Sequence, residues 1–132
     1  MATRHHARMA VVSLLYAYDL GNRSIAEYSD EILEEKKIRN KQRDFALELF
    51  GGVMEQLESI DEAIVTHLKD WDFGRLGSIE RATLRLGAYE ILNSDLDSAV
   101  IINEAIEVAK SFGTEQSPKF INGVLDAIAK DK

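Results

Sequence analysis

Cysteine is absent from the 132 residues. Disulfide staples, thiolate metal sites, iron–sulfur clusters and cysteine nucleophiles are thereby excluded. There is a single proline, and no segment alternates apolar and polar residues with the period of a strand, so the chain reads as helical. No apolar run approaches the ~18 residues of a membrane span. The opening MATRHHARMA lacks a signal-peptide core. These absences predict a cytoplasmic protein without membrane attachment. Catalytic signatures are missing as well: there is no HExxH, no glycine-rich phosphate loop and no GxSxG. No cluster has the spacing of metal ligands. The expectation is therefore a protein that is not an enzyme and carries neither metal nor cofactor. A chain of this size can bury about two thirds of its surface. One domain over residues 1–132 is expected.

What is present begins with charge. The net charge is −7 at pH 7, a balance that ordinarily argues against nucleic acid. The distribution alters that reading. Residues 1–23 hold three arginines against one aspartate and sum to +2, which leaves −9 on the remainder. One mildly basic end on an acidic molecule points to an anionic ligand at that end.

Helical periodicity accounts for the rest of the chain. Ala7, Val11, Leu14, Leu15 and Tyr18 make a stripe at helical spacing, with Thr3 as cap and Gly21 as stop. Ser24 and Glu27 have capping-box spacing and predict a second helix to about Lys37. From the N-cap Asn40, an apolar stripe running from Ala46 to Trp71 predicts one long helix of about seven turns, with Gly51-Gly52 as a bend or a close approach. Residues 71–78 are the clearest break. Residues 79–93 are apolar on more than one side and predict a central helix. A further helix over 100–112 ends at Gly113, and Ser117-Pro118 opens the last one. The fold class is all-α: a compact bundle of six or seven helices, with two packed sub-bundles meeting near residue 75.

Few residues suggest chemistry. On the first helix, Arg4, His5, Arg8 and Tyr16 share one flank of the wheel, while His6 points away. Arginine forks one turn apart suit phosphate oxygens, and the tyrosine offers a face on which a base can stack. A solvated N-terminal helix is the bland alternative. Phe120, beside Lys119 and Gln116, is either a peripheral core aromatic or a stacking residue with a phosphate contact next to it. The cluster from Lys36 to Arg43 is a solvated loop or a second phosphate-tracking surface. His67, between Ile64 and Trp71, reads as a packing residue. Glu34-Glu35 and Asp61-Glu62 read as solvated helix faces.

The C-terminal run INEAIEVAKSFGTEQSPKFINGVLD (102–126) closely resembles the signature of the NusB family of bacterial antitermination factors. ERATLRLGAYE (80–90) and the N-terminal R-x-x-x-R…SLLYAY (4–18) are similar to the same family. The resemblance covers nearly the whole chain, in order. It implies an all-helical RNA-binding protein that recognises the boxA element of ribosomal RNA leader transcripts. The implied partner is NusE, a small-subunit ribosomal protein, and the implied setting is the antitermination complex of RNA polymerase. By position, Arg4, Arg8 and Tyr16, and with them His5, fall on the RNA-binding first helix. Gln116, Lys119 and Phe120 fall in the C-terminal part of that surface, and Glu80 and Arg81 fall near the partner surface. Relatives often carry a denser arginine run than Arg4-His5-His6-Ala7-Arg8, which implies weaker RNA binding alone and more reliance on NusE. Two other functions compete: a protein-only adaptor for basic ribosomal proteins, and a NusB-like module of the kind fused to ribosomal RNA methyltransferases. The second would need a catalytic domain that these residues do not contain.

Overall fold

The computed structural model describes residues 2–69, 72–112 and 117–132. Among the described residues there are seven α-helices, two short 3-10 turns and no strand. The helices are α1 (Arg4–Asp19), α2 (Ser29–Glu35), α3 (Lys41–Glu55), α4 (Leu57–Thr66), α5 (Ser78–Asn93), α6 (Ser98–Ser111) and α7 (Ser117–Lys130). The 3-10 turns are Ile25–Tyr28 and Phe73–Arg75. The all-α class is borne out. None of these helices is long and apolar enough to cross a membrane.

Helix α5 is central, as its all-round apolar sequence predicts. It packs against α1, α3 and α4 on one side of the sequence and against α6 and α7 on the other. The expected two sub-bundles therefore share α5, and their buried side chains form one continuous core. Leu84, Ala88 and Ile91 of α5 are fully buried, as are Val11 of α1, Ile60 of α4 and Leu125 of α7.

Two local expectations fail. The capping box expected at Ser24 does not form. Ser24 makes no capping hydrogen bond, the chain takes a 3-10 turn instead, and α2 begins only at Ser29. A capping box does form at α1. Thr3 Oγ1 accepts from the His6 backbone N–H at 3.3 Å, and the Thr3 N–H donates to His6 Nδ1 at 3.1 Å. The single long helix is the second failure, since it is two helices broken at Gln56. Gly51 and Gly52 stay helical, and Gly52 is where the Tyr89 ring lies against α3. A Cβ on Gly52 would meet the ring's Cε1 at 2.6 Å and its hydroxyl closer still. Gly52→Ala should therefore destabilise the protein by about 1–2 kcal/mol, through displacement of the half-buried Tyr89 ring. Urea unfolding checks this, and Gly51→Ala, with open space at its Cβ, is the control expected to be neutral or stabilising.

The ends of α1 and α2 are closed by the same device. At α1 the Asn22 N–H reaches the Ala17 carbonyl and the Gly21 N–H reaches Tyr18. Gly21 supplies the left-handed residue that this Schellman pattern requires, with φ +116°. At α2 the Ile38 N–H reaches the Leu33 carbonyl and the Lys37 N–H reaches Glu34. Here the left-handed position is held by Lys37, with φ 60°. Buried Leu33 and Ile38 supply the apolar residues that accompany the motif. Asn40, the predicted N-cap of α3, stands at that position but makes no side-chain cap, and it too has a positive φ.

Candidate nucleic-acid interface

Helix α1 turns one side inward and leaves His5, His6, Met9, Ser13 and Tyr16 on the other, at least partly exposed. Arg4 is exposed and its guanidinium stacks 4.4 Å from the centre of the Phe45 ring on α3. His5 Nδ1 lies 3.5 Å from a Glu104 carboxylate oxygen, which ties α1 to α6. Tyr16 retains about a third of its surface. Lys119 is exposed on the first turns of α7, next to half-buried Phe120, which packs against the core. Phe120 is thus packed against the core while part of its surface remains exposed. Gln116 lies outside the described residues, as do Gly113 and Trp71.

Arg8 is not where its flank on the wheel suggested. It is 4% exposed. Its Nε donates to Glu90 Oε2 at 3.0 Å and its Nη2 donates to Oε1 at 2.8 Å. Glu90 is itself 3% exposed. The Phe45 ring covers this pair, 5.1 Å from the Arg8 guanidinium. A fork already bound to a carboxylate and sealed under a ring presents nothing to phosphate. The expectation for Arg8 is corrected accordingly. The signal was on the wheel: Val11, Val12 and Leu15 stand three, four and seven residues after Arg8, so it sits inside the apolar stripe. The apolar neighbours of Glu90 on its own helix, Leu86, Gly87 and Ile91, were a second signal, because a buried carboxylate needs a cation.

Arg81 is also turned inward. Its Nε donates to Asp19 Oδ2 at 2.9 Å and its Nη1 donates to the Leu76 carbonyl at 2.6 Å. It joins the end of α1 to the segment entering α5, and its fork is not free for a partner. Arg85, one turn on, donates to Asp61 of α4 at 2.8 and 3.0 Å and to Asp19 at 3.3 Å. Asp61 is thus an internal ion-pair partner and not part of a solvated face. Burial alone would raise the Asp19 carboxyl. The hydrogen bond and charge of Arg81, with those of Arg85 behind them, outweigh burial and hold it below the usual aspartate range. Burial likewise opposes the Arg85 charge, but Asp61 and then Asp19 outweigh it and raise the guanidinium above its ordinary value. Glu80 is half-buried and folds back over Gly77 at the start of α5, where the helix dipole favours a carboxylate. His67 is partly buried as expected, but it is held by polar contacts as well as packing, with Nδ1 2.8 Å from the Ala63 carbonyl and Nε2 3.1 Å from Asp131 Oδ2 just past α7. Among the described residues no group of three or more His, Asp or Glu side chains is placed to hold a metal ion.

Beside the exposed face of α1 runs a cleft of about 650 Å³. Met9 and Ala10 of α1, Ile38 and Phe112 form its apolar surface, and Lys36, Lys37 and Arg39 of the α2–α3 loop stand at its side. The sequence cluster from Lys36 to Arg43 divides here. Arg39 pairs with Glu34, and Arg43 pairs with Asp30 and Glu34. Lys36 and Lys37 make no ion pair among the described residues.

The family model of the NusB family matches residues 5–130. The chain is 77% identical to the transcription antitermination protein NusB of Sulfurimonas denitrificans, over the full length of both. It is 66% identical to the NusB of a Nitratiruptor species, over 99% of this chain and 94% of that one. Among solved structures it is similar to Thermotoga maritima NusB, with a TM-score of 0.89 at 38% identity, over 98% of this chain and 92% of that one. It is also similar to a chain in a crystal structure of antitermination factors NusB and NusE in complex with dsRNA, with a TM-score of 0.87 at 35% identity, over 98% and 97% of the two chains.

Proposed function

The chain belongs to the NusB family, and on that premise we propose that it is a transcription antitermination factor that binds boxA RNA of ribosomal leader transcripts together with NusE. The observation that carries the reading is its likeness, over almost all its length, to a chain of the NusB–NusE–RNA complex. The protein acts as one RNA-binding domain over residues 1–132, in the cytoplasm, as an adaptor and not as an enzyme. Its RNA face is the exposed side of α1 and the start of α7. Arg4 and Lys119 contact phosphates, Tyr16 and Phe120 stack on bases, and His5 and Gln116 complete the surface. Glu80 lies at the partner surface. Arg8 and Arg81 support these faces from behind, by fixing α1 on α5.

A gel shift with boxA RNA, a scrambled RNA and added NusE tests the reading. A boxA-specific shift strengthened by NusE is expected. A stable complex with NusE and no RNA shift under any combination would favour the protein-only adaptor. The salt dependence tests the residue assignment. Each phosphate contact on a single strand contributes a slope of about −0.7 in log K against log salt. Arg4→Ala should flatten the slope by about that amount. Arg8→Met should leave the slope of the folded protein unchanged, because its guanidinium is occupied by Glu90.

A further inference from the structure

We propose that the cleft between the exposed face of α1 and the α2–α3 loop is a nucleotide subsite for single-stranded RNA, with a base against the partly exposed Met9 and Phe112, over buried Ile38, and its phosphate on Lys36 and Lys37. The proposal rests on the RNA-binding reading above and adds a site to it. Three observations carry it.

The first is shape and chemistry. The cleft is about 650 Å³ and mostly apolar, with His6 and Ser13 as polar points on its α1 side. A flat apolar surface beside cations is the arrangement on which proteins stack an unpaired base while holding its phosphate. Among the described residues no carboxylate lines it.

The second is charge. On a chain of net charge −7, the neighbouring Arg39 and Arg43 are neutralised by Glu34 and Asp30. Lys36, Lys37 and Lys41 of this cluster have no ion pair among the described residues, and of the three Lys36 and Lys37 line the cleft. Two uncompensated cations beside an apolar cleft are complementary to a phosphodiester.

The third is the backbone at Lys37. It occupies the left-handed position of the Schellman motif that closes α2, where α1 uses Gly21. A lysine is less stable than glycine in that conformation. The side chain that the chain keeps there, at a cost in stability, lies on the cleft.

The experiment uses the whole protein with NusE and boxA RNA. Lys36→Gln/Lys37→Gln should weaken RNA binding by about tenfold near physiological salt and flatten the salt slope by about 0.7 for each lysine that touches a phosphate. Lys37→Gly should raise Tm while lowering RNA affinity, an opposition that a merely structural lysine would not give. In a methionine-methyl NMR titration, the Met9 signal should shift when RNA is added and the Met54 signal should not. Unchanged affinity and slope in the double variant, while the wild type binds boxA, would overturn the subsite and leave the RNA reading standing. A Met9 shift caused by NusE alone, and not by RNA, would assign the cleft to a protein partner and overturn it too. A wild type that binds no RNA would remove both.

Discussion

Glu90→Ala should lower the stability of the fold by about 3–5 kcal/mol, the cost of leaving a buried cation without its partner. Arg8 and Glu90 are both almost fully enclosed, at 4% and 3% exposure, and their bond is two-pronged. With the carboxylate gone, the guanidinium has no water to return to, and the Phe45 ring above it replaces only part of the lost attraction. For a chain of this length the loss corresponds to a fall in Tm of about 10 °C or more. Arg8→Met should cost a similar amount for the converse reason. The double variant Arg8→Met/Glu90→Leu should recover much of the loss, because replacing a whole buried pair by apolar groups of similar volume is often neutral. Urea unfolding of the three variants checks the cycle. Single variants within 1 kcal/mol of the wild type would show that the pair is hydrated and not sealed.

Asp19→Ala should cost about 3 kcal/mol, at the lower end of the range for buried pairs. One carboxylate here serves two arginines, and its side chain keeps 14% of its exposure against 15% for Arg81 and 8% for Arg85. Arg85 retains Asp61 after the change, whereas Arg81 keeps, among the described residues, only backbone carbonyls and the Ser78 hydroxyl. The same cluster sets an acid limit. Asp19 is held below the usual aspartate value in the folded state. The unfolded chain therefore binds its proton first as pH falls. The contribution of Asp19 is complete above the ordinary aspartate pKa of about 3.9 and is lost as pH drops through the lower, folded value. Asp19→Asn should be less stable than the wild type at neutral pH, with the gap narrowing below about pH 4. Thermal melts from pH 7 down to pH 2.5 measure this, and a constant gap would remove Asp19 from the acid transition.

How far these features were legible varies with their cause. The helices, the central place of α5 and the closure at Gly21 follow from local rules that the residues state directly: apolar period, cap and left-handed glycine. The break at Gln56 does not, because the apolar stripe continues across it and only the packing of α3 and α4 around α5 decides where the axis turns. The proposed RNA face was legible as a set of residue types, and which of them are exposed was not. Arg4 and Arg8 are alike in sequence and opposite in fate, one exposed and one sealed, because only Arg8 falls within the apolar stripe and meets Glu90. Asp61 read as solvated, and Arg81 as near a partner surface, for the same reason, their ion-pair partners being 24 and 62 residues away in sequence. The Lys36–Lys37 cluster was visible as charge, but the cleft beside it is made by α1 and Phe112.

The pairing of α1 with α5 also orders events in time. Arg8 waits for a partner 82 residues later, and Asp19 waits for Arg81 and Arg85. At a synthesis rate of about 5–20 residues per second, roughly 4–16 s separate the making of Arg8 from the making of Glu90. During that interval the first helix has no complete core to bind. Until α5 clears the ribosome, α1 therefore has α3 to pack against but no carboxylate for Arg8, so the apolar half of this contact is available to the nascent chain before the ionic half.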